Sequence, residues 1–335
     1  MLESVAAAVG LQEGAPGVHR VLSAIRRLSP APTRQVSRQT GIPVPVVAAV
    51  TNELRRRGLV TRDRPSRLTE RGLALLGPDP ALDLRCPGCD GGGLAIPEPL
   101  RAVADRLAAL QARVPAADLA LDQSHCTIAT KLRRIALLLK LDLLPAESML
   151  IVGDDDLMSL SLLAASQALG QPLVRRLAVV EISADLLGFI GEAQAELGNP
   201  GVQVDRCRHD LRDPLPDRLR GRFQTAMTDP PYTVAGARLF LSRVVEGLLP
   251  GPGRPIAFSF GPKGPDDTLA VQRAVAEIGL AVQASYRNFN EYEGSGVLGG
   301  VSHLSWLVTT TVTASAVPGH YAGPLYTAQS RVGRR

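Results

Sequence analysis

Cysteine is scarce, with four in 335 residues. That is too few for a disulfide framework and fits a reducing compartment, the cytoplasm. Lysine is scarcer still: only Lys131, Lys140 and Lys263 occur, so 34 of the 37 basic residues are arginine. No run of about 18 or more uncharged apolar residues is present, and the N-terminus lacks a basic segment leading into an apolar stretch and a small-residue cleavage site. These absences argue against a membrane span and classical secretion.

What is present is a globular composition, 45% hydrophobic, long enough for one large or two ordinary domains. The net charge of +5 is uneven. Residues 1–75 hold 12 arginines against 5 acids, leaving 25 basic and 27 acidic residues beyond them. The basic excess therefore belongs to the N-terminal part and says little about the larger remainder.

Apolar residues at helical spacing predict helices over 17–29, 33–40 and 44–57, followed by short strands at 59–61 and 67–69 around a turn. This is the order of a winged helix, expected over residues 1–75. Arg55, Arg56 and Arg57 end its last helix, where they either reach DNA phosphates or complement the helix dipole in a packing module. Residues 76–120 read as a linker with Cys86-Pro87-Gly88-Cys89 and a helix over 100–113. One Cys-x-x-Cys pair is half of a usual structural zinc site, so no metal is expected. Another helix is expected over 129–140.

From Ser148 strands and helices alternate, which predicts a Rossmann-like, doubly wound α/β sheet of about seven strands within a catalytic domain over 121–315, ahead of a tail at 316–335. The expected strands are 149–152, 177–181, 202–204, 223–228, 256–260, 280–285 and 304–312. Ligands in such sheets sit at the carboxyl ends of strands. Gly153-Asp154-Asp155-Asp156 follows the first strand, three carboxylates where a dinucleotide loop would carry more glycines. Adjacent acids repel one another, and a cationic amine relieves that cost; the alternative is a helix start, which needs only one Asp. Glu181 ends the second strand where an acid commonly accepts ribose hydroxyls, and Asp210 follows the third within reach of an adenine amino group. Asp229-Pro230-Pro231-Tyr232 follows the fourth, a rigid turn presenting a carboxylate and an aromatic ring. Near the C-terminus, 288–296 offers Glu291 and Glu293 as acids of a closing loop, or as part of a solvated hairpin.

With Gly-Asp-Asp-Asp after the first strand, Glu181 after the second, His209-Asp210-Leu211-Arg212 after the third and Asp-Pro-Pro-Tyr after the fourth, the chain resembles the branched-chain polyamine synthases of thermophilic archaea and bacteria. The resemblance runs over about residues 15–312 and includes Cys-Pro-Gly-Cys and Leu121-Asp122-Gln123. The segment after Gly261 and the tail from Ala316 do not share it. It implies aminopropyl transfer from decarboxylated S-adenosylmethionine to spermidine, releasing methylthioadenosine, with the donor consumed as co-substrate and no tightly bound cofactor. It further implies that Asp154, Asp155 and Asp156 hold amines, that Glu181 and Asp210 hold the nucleoside, and that Asp229 and Tyr232 hold the acceptor, with Asp155, Asp156 and Asp229 as candidate bases. A homodimer is implied as well. The competing readings are an amino-group methyltransferase acting on RNA or DNA, and a polyamine-sensing regulator. The acidic balance beyond residue 75 and the triple Asp, which repels a carboxylated donor, argue against nucleic acid as a partner.

Overall fold

The computed structural model describes residues 1–76, 94–198, 200–293 and 300–327. Cys86, Cys89 and Gly294–Gly296 lie outside these. The chain divides into two compact units.

The smaller is built on residues 1–76, with 261–269. It contains α1 (Leu2–Val9), α2 (Gly14–Leu28), α3 (Thr33–Thr40), α4 (Val44–Arg56) and the short α5 (Glu70–Ala74). The apolar stripe of α2, Val18, Val21, Leu22 and Ile25, packs with Val36 of α3 and Val47, Val50 and Leu54 of α4. α1 was not expected. It buries Val5 and Ala6 in the same core and stops at Gly10, whose φ of 62° favours glycine. The two expected short strands are instead single bridges, Val60 with Leu68 and Ala31 with Ser66. All three terminal arginines of this segment are engaged within the unit. Arg55 bonds Thr61 O, Asn52 and Ser66, and Arg56 and Arg57 pair with Glu53. They fasten α4, which weakens the expectation that they serve phosphates.

The second unit carries α6 (Glu98–Arg101), α7 (Ala104–Gln111), α8 (Ile128–Lys140), β1 (Ala146–Val152), α9 (Met158–Ala168), β2 (Val174–Glu181), α10 (Ala184–Leu197), β3 (Gln203–Arg208), β4 (Thr225–Thr228), α11 (Val234–Gly247), β5 (Pro255–Phe260), most of α12 (Pro265–Glu277), β6 (Leu280–Glu291) and β7 (Val301–Thr309). The helix expected over 100–113 is two, α6 and α7. Leu100, Val103, Leu107 and Leu110 are buried in one stripe across the break, which is why the periodicity reads as continuous.

The seven strands form one sheet in the order β3-β2-β1-β4-β5-β7-β6. β1 to β5 are mutually parallel, and β7 runs antiparallel to β5. Because it is covered by helices, β1 is a nearly unbroken apolar run, Met149 to Val152 all being buried. β6 extends six residues beyond its expected end at Ser285. Asn288, at φ 54°, interrupts its pleat, after which Phe289 and Asn290 are both buried. Residues 316–327, expected as a tail, are fastened to this unit. The buried Arg243 of α11 donates to Val317 O and Gly319 O as well as to Leu211 O and Arg212 O, and Thr233 bonds Leu325 O.

Candidate active site

Strand order reverses between β1 and β4, so a crevice opens at their carboxyl ends. The cleft there spans about 530 Å³, part of it open to solvent. It is lined by Gly153 and Asp155 after β1, Glu181 after β2, Asp210 after β3, and Asp229 and Pro231 after β4. Gly153 has a φ of 75°, which lets the chain turn out of β1 into the acidic loop. After β4, Gly236 lets α11 start tightly under the Pro-Pro turn: a Cβ there would lie 2.3 Å from Pro231 O.

The three consecutive carboxylates separate into three environments. Asp154 is buried and caps α9, accepting from Met158 N–H at 2.7 Å, Ser159 N–H at 3.3 Å and the Ser159 hydroxyl. Asp154, expected to hold an amine, has its oxygens on the helix start and is outside the cleft lining. Burial raises its pKa to about 7 against those hydrogen bonds. Asp156 is also buried away from the cleft lining. Its Oδ1 accepts from Cys126 N–H at 2.7 Å and its Oδ2 from Arg134 Nη1 at 2.5 Å. Burial works to raise its pKa, but the charges of Arg134 and Lys131 outweigh it and hold the carboxyl below the usual range. Asp156, expected as a candidate base, thus has both oxygens engaged and lies outside the cleft lining.

Asp155 alone of the three faces the cleft. Its Oδ2 accepts from Ser124 N–H at 2.9 Å, and its main-chain carbonyl meets His125 Nδ1 at 2.6 Å. Among the described residues no cation pairs with it. Burial, then the negative charges of Asp156, Asp229 and Glu181, push its pKa well above the carboxylate range.

Asp229 shares the cleft. Its Oδ2 accepts from Arg134 Nη2 at 3.0 Å and from the Tyr292 hydroxyl. Burial and the charge of Asp156 raise it to about 6, against Arg134 and the two tyrosine hydroxyls. Tyr232 does not line the cleft as expected. It is buried, its ring centroid lies 5.3 Å from that of Phe260, and its hydroxyl donates to Tyr292 Oη at 2.9 Å. The rigid turn sends it into the core because Pro231, not Tyr232, lies at the cleft wall. Pro230 is buried and outside the lining.

Glu181 is buried at the cleft wall. Its Oε1 accepts from Ile182 N–H at 2.9 Å and Ser183 N–H at 3.0 Å, and its Oε2 from Asp154 N–H at 3.1 Å. Asp210 is held by Arg212 N–H at 2.9 Å. Glu291 and Glu293 do not join the cleft lining. The main chain around them pairs with the 125–127 segment, Thr127 N–H to Glu291 O and Glu293 N–H to His125 O. The residue delivered to the site is Tyr292 between them.

Sequence reasoning missed Arg134, Tyr292, Asn290, and the cleft residues Asp122, Gln123, Phe240, Leu325 and Tyr326. For Arg134 a signal existed: Lys131 and Arg134 stand three apart on a helix whose neighbouring Leu132, Ile135 and Leu138 are buried. A cation on a core-facing stripe calls for an acid opposite. The C-terminal residues carry no motif. Tyr326 reaches the cleft because Asp122 accepts from Thr327 N–H at 2.7 Å, and Arg212 lies 5.5 Å over the Tyr326 ring. Among the described residues, no group of three His, Cys, Asp or Glu side chains is arranged to hold a metal, and no helix is long and apolar enough to cross a membrane.

A mixed α/β chain with a seven-stranded sheet and an acid-lined cleft at its carboxyl edge is the class these features define. The family model for the branched-chain polyamine synthase A C-terminal domain matches residues 102–319, and the chain belongs to that family. It is 32% identical over 263 residues to an N(4)-bis(aminopropyl)spermidine synthase of Thermococcus kodakarensis, covering 76% of this chain and 72% of that one. A synthase with the same name from Thermus thermophilus is 30% identical over 315 residues, 91% of this chain and 85% of that one. The crystal structure of the branched-chain polyamine synthase from Thermus thermophilus, in complex with N4-aminopropylspermidine and 5'-methylthioadenosine, is 25% identical. It matches with a TM-score of 0.78 over 98% of this chain and 97% of that one.

Proposed function

We propose that the chain is a polyamine aminopropyltransferase, moving the aminopropyl group of decarboxylated S-adenosylmethionine to the secondary amine of spermidine. The observation that carries this reading, in a member of this family, is the facing of Asp155 and Asp229 across a cleft that also holds Glu181 and Asp210. An ammonium has no lone pair, so the acceptor must lose a proton before it attacks. Asp155, whose neighbours favour its protonated form, takes that proton. The nitrogen lone pair then forms a bond to the aminopropyl carbon, the carbon–sulfur bond breaks, and its electrons neutralise the sulfonium as methylthioadenosine leaves. A second deprotonation and transfer gives a quaternary ammonium.

Asp229 steers the acceptor cation in line with the reacting carbon. Glu181 accepts the ribose hydroxyls and Asp210 the adenine amino group, beside Tyr326. The donor is consumed as a co-substrate. A carboxylated donor meets repulsion from Asp155 and Asp229, which counts against methyl transfer to a nucleic acid.

For the rest of the chain, the reading is a winged-helix module over 1–75, a connecting segment over 76–120 and a catalytic domain from 121. Three packed helices and the bridges around 60–68 support the first of these. A cytoplasmic homodimer completes it, the dimer being checked by light scattering of the purified chain.

The decisive experiment is a mass-spectrometric product assay with decarboxylated S-adenosylmethionine and spermidine, run beside S-adenosylmethionine. Methylthioadenosine together with N4-aminopropylated spermidine is expected. Folded protein that leaves the decarboxylated donor intact across several polyamines overturns the reading.

A further inference from the structure

Arg134 is buried within the site, 1% exposed. Its guanidinium has five hydrogen-bond partners, and each of its three nitrogens has at least one. Nε donates to Asn290 Oδ1 of β6 at 2.8 Å, and Nη1 to Asp156 Oδ2 of the β1 loop at 2.5 Å. Nη2 reaches Asp229 Oδ2 after β4 at 3.0 Å, Ser259 Oγ of β5 at 3.3 Å and Tyr292 Oη at 3.2 Å. Asn290 is itself fixed by Ser259 and Ser302. One planar fork therefore spans two carboxylates that belong to different strand ends, and every one of its partners is held from behind.

The consequence is a division among like acids. Asp156 has both oxygens engaged and Asp229 has one, whereas Asp155 has only the Ser124 amide. We propose, on the aminopropyl-transfer reading, that Arg134 is a positioning residue. Its fixed cation holds Asp156 away from the cleft and engages Asp229 Oδ2 at the cleft wall, and so leaves Asp155 as the acceptor of the amine proton. The guanidinium touches neither substrate nor reacting atom in this role. A lysine in its place carries the charge without the fork, so it restores part of the effect only.

Other charges bear on the same cluster. Facing Arg134 are Asp156, Asp229, the Cys126 thiol and the Tyr292 phenol, with Tyr232 behind Tyr292. Lys131, three residues earlier on α8, also acts on Asp156. Facing Asp155 are Asp156, Asp229 and Glu181. Removing the guanidinium takes the cation from Asp156 and Asp229 and leaves Lys131 acting on Asp156 alone, so these two acids hold their protons to higher pH. Removing Asp156 instead leaves the guanidinium to Asp229, so Asp155 and Asp229 lose their protons at lower pH.

The test is the pH dependence of kcat/KM for aminopropyl transfer in the full chain, with Arg134→Met, Arg134→Lys and Asp156→Asn, and methylthioadenosine binding by calorimetry as the check on folding. The acidic limb is expected to move up by about one pH unit or more in R134M, by less in R134K, and down in D156N. Added guanidinium ion is expected to move the R134M limb part of the way back. A limb unmoved in R134M, or displaced in the same direction in R134M and D156N, overturns the inference. Should R134M fail to bind methylthioadenosine, the opposite displacements of R134K and D156N decide it alone. Failure of the aminopropyl-transfer reading itself is seen earlier, as a wild-type chain that does not consume the decarboxylated donor.

Discussion

The two ends of the cleft hold their acids in different ways. At the end formed by β2 and β3, Glu181 is fixed by the main-chain amides of Ile182, Ser183 and Asp154, and Asp210 by the Arg212 amide, with its Oδ2 3.8 Å from the Arg212 guanidinium. At the end formed by β1 and β4, Asp156 and Asp229 share one guanidinium, a phenol bonds Asp229, and Asp155 stands within the field of both acids with no cation of its own among the described residues. Neutral donors orient Glu181 at little cost and leave it suited to neutral hydroxyls, and the one cation near Asp210 belongs to a separate, half-exposed pair. Crowded charge forces protons onto some members and off others, which is what a site must do to accept a proton. On the proposed reading, the same residue type, delivered by the same strand-end topology, serves recognition at one end and proton transfer at the other.

The sharpest way to break this contrast is Asp155→Asn. Turnover is expected to fall by about a thousandfold, as for loss of a general base, while methylthioadenosine binds as before. Single-turnover product formation and calorimetry on the same sample check the two halves; weakened nucleoside binding would merge the two ends into one. Asp229→Asn comes next, with kcat/KM for the polyamine expected to drop by about a hundredfold. Because burial and Asp156 raise Asp229 to about 6, it is protonated below that pH and ionised above it. Wild-type activity therefore climbs as pH rises through about 6, and a rate profile of the variant is expected to lose that component. At the other end, Glu181→Gln is expected to raise the donor KM by about tenfold, the equivalent of about 1.4 kcal/mol, and to leave kcat nearly unchanged. A fall in kcat equal to the rise in KM would show that this acid takes part in the chemistry.

Much of this arrangement was legible in the sequence. Strand ends can be read from apolar runs stopped by Gly153, Glu181 and Asp229, and the doubly wound pattern places those ends on one edge. Which acid does what was not legible. Asp154, Asp155 and Asp156 are identical in sequence terms, and their division depends on where Met158 and Ser159 N–H groups point and on an arginine on another helix. Tyr232 stands in the strongest motif yet is turned into the core, while Tyr292, in a segment that reads as an acidic loop, supplies the hydroxyl on Asp229. The final strand-end turn of β6 that delivers it follows Asn288, whose left-handed conformation no periodicity announces. Residues 316–327 carry no apolar repeat, because they are held through main-chain carbonyls on Arg243 rather than by a packed stripe.

The smallest effect on turnover belongs to the side chain of Asp154, whose carboxylate caps α9 while only its main-chain amide reaches Glu181. Burial raises its carboxyl to about 7 in the folded chain, against about 3.9 when unfolded. Between those values the native state binds more protons than the unfolded state, so ionising Asp154 costs stability, and that cost grows as pH rises from about 4 toward 7. Asp156 contributes with the opposite sign, its value being lowered in the fold, so the melting curve of the wild type alone mixes the two. Asp154→Asn isolates one: its amide oxygen can still accept from Met158 N–H, and no charge is buried at any pH. The difference in melting temperature between variant and wild type, measured calorimetrically at pH 4 and pH 8, is expected to shift in the variant's favour at the higher pH, with activity changed by less than about threefold. A difference independent of pH would mean that Asp154 is ionised throughout, and that the crowding of acids extends to the helix cap.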